Sequence, residues 1–178
     1  MNRQARAVRF DRYGDHDVLY VNEVPMPDPG PGEVVVEVRA AAINPFDTVI
    51  RSGVVRELFP ATFPSGRGSD LAGVVVAAGA GVEWPVMGDE VLGWTPGPSA
   101  QATHATVPVA QLVAKPSRLS WEAAGSLHMV GSMAYAALRA PTRRDRRRVR
   151  RRRRGRHLPG ADARSPGRGL SSEWWEVD

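Results

Sequence analysis

From Ala5 to Phe10 small or apolar residues are interspersed with arginines, the pattern of a half-exposed opening strand. Tyr13, Gly14 and Asp15 form a turn, and Val18 to Val24 reads as a second extended segment. Pro25 to Glu33 then packs four prolines and two glycines into nine residues. Proline lacks an N–H and fixes φ, so this stretch is a surface connection and no helix. It delivers the chain to Val34, Val35, Val36, Val38 and Ala40 to Ile43, the longest β-prone run.

That run ends at Asn44-Pro45-Phe46-Asp47. Proline suits the first position of a helix and Asp47 suits its positive end, so the sequence predicts a short helix over Phe46 to Arg51, closed by Gly53. Asn44 stands where strand meets helix. Its amide either faces a pocket or caps the turn. In Pro60 to Val76 the glycines Gly66, Gly68 and Gly73 let the chain double back before Val74, Val75 and Val76 enter a core. Leu71 to Val82 gives a strand and a second glycine reversal, Met87 to Trp94 a tight turn and short strand, and Gln101 to Pro116 one or two strands more. Short, evenly spaced strands imply a compact barrel or sandwich, not a βαβ array. At Ser120 the character changes: a serine N-cap precedes Trp121, Glu122 and alanines, and Ser126 to Ala140 has helical spacing.

Composition adds exclusions. The chain has 178 residues, 42% hydrophobic, with 15 prolines, 18 glycines and no cysteine. That removes disulfides, thiolate zinc sites and a cysteine nucleophile, and suits a cytoplasmic protein. MNRQARAVRF has no apolar signal core, and no run approaches the roughly 18 apolar residues of a membrane span. The net charge of +5 divides sharply: up to Pro141 there are 11 basic against 14 acidic side chains, a net of −3, and from Thr142 onward 13 arginines against 5 acids, a net of +8. An ordinary acidic body carries an arginine block.

Taken in order, AAINPFD (Ala41 to Asp47), RSG (Arg51 to Gly53), FPATFPSGRGSDLAGVV (Phe59 to Val75), GDEVLGW (Gly88 to Trp94), Lys115-Pro116 and SLHMVGSMAYAALRA resemble the amino-terminal, GroES-like domain of the medium-chain dehydrogenase/reductase superfamily, in its zinc-free quinone oxidoreductase branch. The resemblance implies a mainly β fold with short helices, a partly open barrel over residues 1–125, and a helix over 126–141 leading towards a nucleotide-binding domain. It also implies hydride transfer from NADPH to a quinone, enone or similar activated carbonyl, where the cofactor carries the chemistry and the protein orients it. Asn44 and Asp47 would lie beside the nicotinamide, Ser132 near its ring, and Phe46 and Phe63 either on the substrate side or in the core. Zinc-dependent relatives carry a cysteine in the segment reading NPFD here, and Gly-His-Glu where this chain has Gly68-Ser69-Asp70. The expectation is therefore no metal. His16, His104, His128 and His157 are far apart in sequence and read as surface or packing residues. Family members often form homodimers.

After Ala140 the resemblance calls for a strand, a glycine-rich turn and a helix. Residues 142–178 instead read as a disordered basic tail with no GxGxxG and no Rossmann unit. Arginine codons of the CGN type, read one base on, become GNN codons for Val, Ala, Asp, Glu and Gly. Within Asp145 to His157 the other frame can spell a VVVSGAAGGV-like unit, so a frameshift near Pro141 or Thr142 accounts for the block. The expectation is a fragment without turnover of its own, its apolar cleft prone to sticky association. The alternative is a basic-tailed domain that binds nucleic acid or other polyanions nonspecifically.

Overall fold

The computed structural model describes residues 4–140. The arginine block, its out-of-frame reading and the polyanion-binding alternative fall on residues outside that range. β1 (Gln4–Arg9) and β2 (Tyr20–Pro25) form an antiparallel two-stranded sheet that sets Arg6 opposite Glu23 and Val8 opposite Val21. The second segment starts at Tyr20 instead of Val18. The Asp15 carboxylate accepts the His16 N–H at 2.7 Å and starts a 3₁₀ turn at His16–Val18 that buries Val18.

The larger sheet has five antiparallel strands: β3 (Glu33–Ala41), β4 (Asp70–Ala78), β5 (Glu90–Trp94), β6 (His104–Pro108) and β7 (Leu112–Ala114), in the order β6-β3-β4-β5-β7. Val34, Val35 and Val36 in β3 are all buried, so that strand is an apolar run and not an alternation. Val34 and Val36 join Leu71, Val75, Val91, Val107 and Leu112 in the main core. The register between β3 and β4 shifts twice, with Val76 the extra residue on β4 and Arg39 the extra residue on β3, as in β-bulges. Gly73 is required where the strands cross closely: a side chain there would overlap the Glu37 carbonyl and the Val36 side chain.

The two sheets are tied by the bridges Ala7–Ala102 and Phe10–Ser65 and by the Val8 N–H, which donates to the Gln101 carbonyl at 2.9 Å. Among the described residues the strands do not close into a ring. The fold is mainly β with short helices. α1 (Pro45–Ser52) ends at Gly53, whose φ of 79° is the left-handed cap that glycine favours. The segment after Ser120 is two helices, α2 (Trp121–Gly125) and α3 (Leu127–Arg139). The Ser120 hydroxyl accepts the Ala123 N–H at 3.2 Å to start α2, and the Ser126 hydroxyl bonds back to the Glu122 and Ala123 carbonyls to interrupt it. α2 buries Ala124 against Ala72 and Leu92, whereas α3 buries no residue at all. No described helix is long and apolar enough to cross a membrane.

Candidate functional site

The site lies where β3 ends and β4 begins. Beyond Ala41 the Ala42 N–H bonds to the Asp70 carbonyl at 3.3 Å, and the Gln101 side-chain amide donates to the Ala42 carbonyl at 3.2 Å. With its exit fixed in this way, the chain turns at Asn44 into α1. The Asn44 backbone N–H donates to Asp47 Oδ2 at 2.7 Å, the half of a capping box in which the acidic residue reaches back. Asp47 is buried, yet its carboxylate faces the positive end of the helix and has a donor. The Asn44 amide nitrogen is different: it is buried and has no hydrogen-bond partner.

Phe46 is 41% exposed and meets Phe59 edge to face, ring centroids 5.1 Å apart. Phe63 belongs to another cluster, edge-on to Phe10 at 5.7 Å and to Tyr13 at 5.1 Å. The Tyr13 hydroxyl accepts the Ala61 N–H at 3.0 Å and pins that loop. The structure therefore unites Asn44, Phe46 and Asp47 at one helix start and sets Phe63 among the packing aromatics at its side. Phe59 is a further aromatic that sequence patterning did not single out, because it sits outside any periodic segment.

Two buried arginines adjoin the site, Arg51 on α1 itself and Arg67 ahead of β4. Arg67 is 5% exposed; its Nη1 donates to the Asp47 carbonyl and its guanidinium stands 5.7 Å over the Phe10 ring. Burial lowers its pKa and the Asp47 carboxylate opposes that shift. Arg51 Nη2 reaches Asp15 Oδ1 at 3.4 Å and ties the last turn of α1 to the 3₁₀ turn.

Asp70, the first residue of β4, is fully buried. Its Oδ2 accepts the Met129 N–H at 3.0 Å, which fastens the first turn of α3 to the sheet, while its Oδ1 has no partner. Trp94 lies across from Asp70 in the register, and its indole stacks on the His128 ring at 5.4 Å with an interplanar angle of 15°. Half-burial pushes the His128 pKa down against the attraction of the Asp70 carboxylate. Ser132 is exposed on α3, one turn beyond His128. Among the described residues no three His, Asp or Glu side chains gather where a metal could bind.

Residues 30–117 match the alcohol dehydrogenase GroES-like domain family. The N-terminal part of this chain is a GroES-like domain of the medium-chain dehydrogenase/reductase superfamily. This GroES-like domain is similar to the chloroplastic quinone-oxidoreductase homolog of Spinacia oleracea, with 36% identity over 136 residues, 74% of this chain and 41% of the relative. In structure it resembles the quinone oxidoreductase of Coxiella burnetii, with a TM-score of 0.73 and 30% identity, covering 78% of this chain and 45% of that one. It also resembles the Escherichia coli quinone oxidoreductase complexed with NADPH, with a TM-score of 0.72 and 30% identity, covering 78% of this chain and 41% of that one. The chain spans about two fifths of the length of the curated relatives it matches.

Proposed function

We propose that this chain carries the substrate-side domain of a zinc-independent oxidoreductase that reduces a quinone, enone or related activated carbonyl with NADPH. The observation that carries the reading is the Asn44 amide nitrogen, a buried donor without an acceptor, at the strand-to-helix junction of a GroES-like domain whose relatives are named quinone oxidoreductases. A buried unpartnered donor costs free energy that a carbonyl oxygen would offset, so this position fits the carboxamide of a nicotinamide or the oxygen of a quinone. Asp47 holds the Asn44 backbone N–H, and the Asn44 amide nitrogen is the group left without a partner. The half-exposed Phe46 and Phe59 give a flat substrate an apolar wall. Ser132, on α3, would contribute from the nicotinamide side.

When bound, NADPH supplies the hydride; the chain's own residues bind, orient and exclude water. No glycine-rich strand–turn–helix that would hold a pyrophosphate occurs among the described residues. The zinc-independent reading follows from the donor set: no cysteine in the chain, and only Ser69 and Asp70 in the segment where zinc-dependent relatives have histidine and glutamate.

The test has two arms. The 178-residue chain with NADPH and menadione is expected to show no loss of NADPH absorbance above background; measurable turnover would overturn the half-site reading. In NMR titrations with reduced nicotinamide mononucleotide or menadione, the Asn44 side-chain amide signals are expected to shift, and Asn44→Ala to weaken binding about fivefold to tenfold. If neither compound moves those signals, the assignment of Asn44 fails.

A further inference from the structure

α3 is attached to the sheet at its beginning. Thirteen residues long and without one buried side chain, it touches β4 and β5 at two adjacent residues near its start: the Met129 N–H on Asp70 Oδ2 at 3.0 Å, and the His128 ring on the Trp94 indole at 5.4 Å. The second oxygen of Asp70 is buried beside them without a donor. A buried carboxylate oxygen left unbonded is costly, and an imidazole held one residue from the same contact is the natural group to supply the missing N–H. In the stacked arrangement the ring does not supply it.

We propose that His128 is a pH-sensitive pin for α3, lying flat on Trp94 when neutral and turning to Asp70 Oδ1 when protonated, so that the proton state sets how α3 is seated. The charges around the pin are few. β4 presents Asp70; β5 presents the uncharged indole there, its Glu90 lying at the strand's other end with Lys115 at 2.9 Å. The carboxylate of Glu122 on α2 is engaged at its own helix start with Ser120, and Arg139 on α3 is three turns away. Asp70 is thus the group an imidazolium would seek. Because the same carboxylate accepts the Met129 N–H, drawing Oδ1 towards His128 disturbs the bond that anchors α3. Half-burial favours the neutral, stacked ring at neutral pH, and acid shifts the population towards the turned one. The device is independent of any cofactor, although Ser132 rides on the helix it controls.

NMR titration of the full 178-residue chain tests it. The His128 imidazole is expected to titrate below its ordinary value of 6.5, and the Trp94 indole N–H and Met129 amide to shift with the same midpoint. Exchange of the Met129 amide, corrected for its intrinsic pH dependence, should quicken about tenfold below that midpoint. His128→Phe, which keeps an aromatic ring for Trp94, should abolish both shifts, and Asp70→Asn should lower the His128 midpoint and leave Trp94 alone responding. If His128 titrates while Trp94 and Met129 stay unmoved in the wild-type chain, the pin does not exist. Persistence of the Met129 response in His128→Phe would equally overturn it.

Discussion

Arg51, Arg67 and Asp47 place two guanidiniums and one carboxylate in the interior, with Arg51 Nε and Nη1 and Arg67 Nε lacking partners. Desolvating an ion costs several kcal/mol, and only good geometry with a counter-charge returns it. Arg51 has the Asp15 carboxylate at 3.4 Å, whereas for the buried Arg67 the opposing charge is that of Asp47. Arg67→Met, which keeps the volume and removes a poorly satisfied cation, is expected to change stability by less than about 1 kcal/mol. Asp47→Ala, which removes the charge opposing the buried Arg67 and opens the start of α1, should cost about 3 kcal/mol or more. Urea unfolding of both variants decides, and equal losses would refute the asymmetry. Asn44 and Asp47 were legible as helix-start residues because a helix N-terminus is local, written in the four residues Asn44 to Asp47. Asp70, His128 and Trp94 were not, since their meeting depends on strand register and on where α3 begins, and no spacing along the chain encodes either.

The strands and helices followed the hydrophobic pattern closely, because a half-buried sheet imposes period two and a buried strand imposes a run. Departures came where one side chain outbid propensity. The 3₁₀ turn that Asp15 starts runs on to Val18 and delays the second strand to Tyr20, and Ser126 splits an expected helical region into α2 and α3. By sequence Gly73 belongs both to the glycine turn and to the start of the strand from Leu71; in the structure it is mid-strand, paired with Val38, and its need is close approach. Gly73→Ala should destabilise by about 3 kcal/mol, because the atoms it strikes include strand backbone and cannot move aside cheaply. Gly81→Ala has no such neighbour and faces only its φ of 77°, so it should cost about 1 kcal/mol. Equal thermal shifts for the two would mean that the strands part easily.

At the scale of the molecule, acid acts on folding through the same histidine. The folded chain holds His128 neutral to lower pH than the unfolded chain, which therefore binds more protons just below 6.5. Stability from this group is complete above that value and declines as pH falls through the window beneath it. Comparing melting temperatures at pH 7 and pH 5.5, wild type should lose more than His128→Phe; an equal loss would assign the acid sensitivity to carboxylates instead.

The order β6-β3-β4-β5-β7 also governs what happens while the chain is being made. β3 can pair with β4 once Ala78 has emerged, but its other neighbour, β6, is not complete until Pro108. Those intervening 30 residues take about 1.5–6 s to synthesise. Throughout that interval a valine-rich strand presents a row of unsatisfied N–H and C=O groups to solvent, an open template for a neighbouring nascent chain. Faster elongation through Gly79–Thr103 would narrow that opening, and recoding this stretch with rapidly read codons should raise the recovered yield without altering a single amino acid.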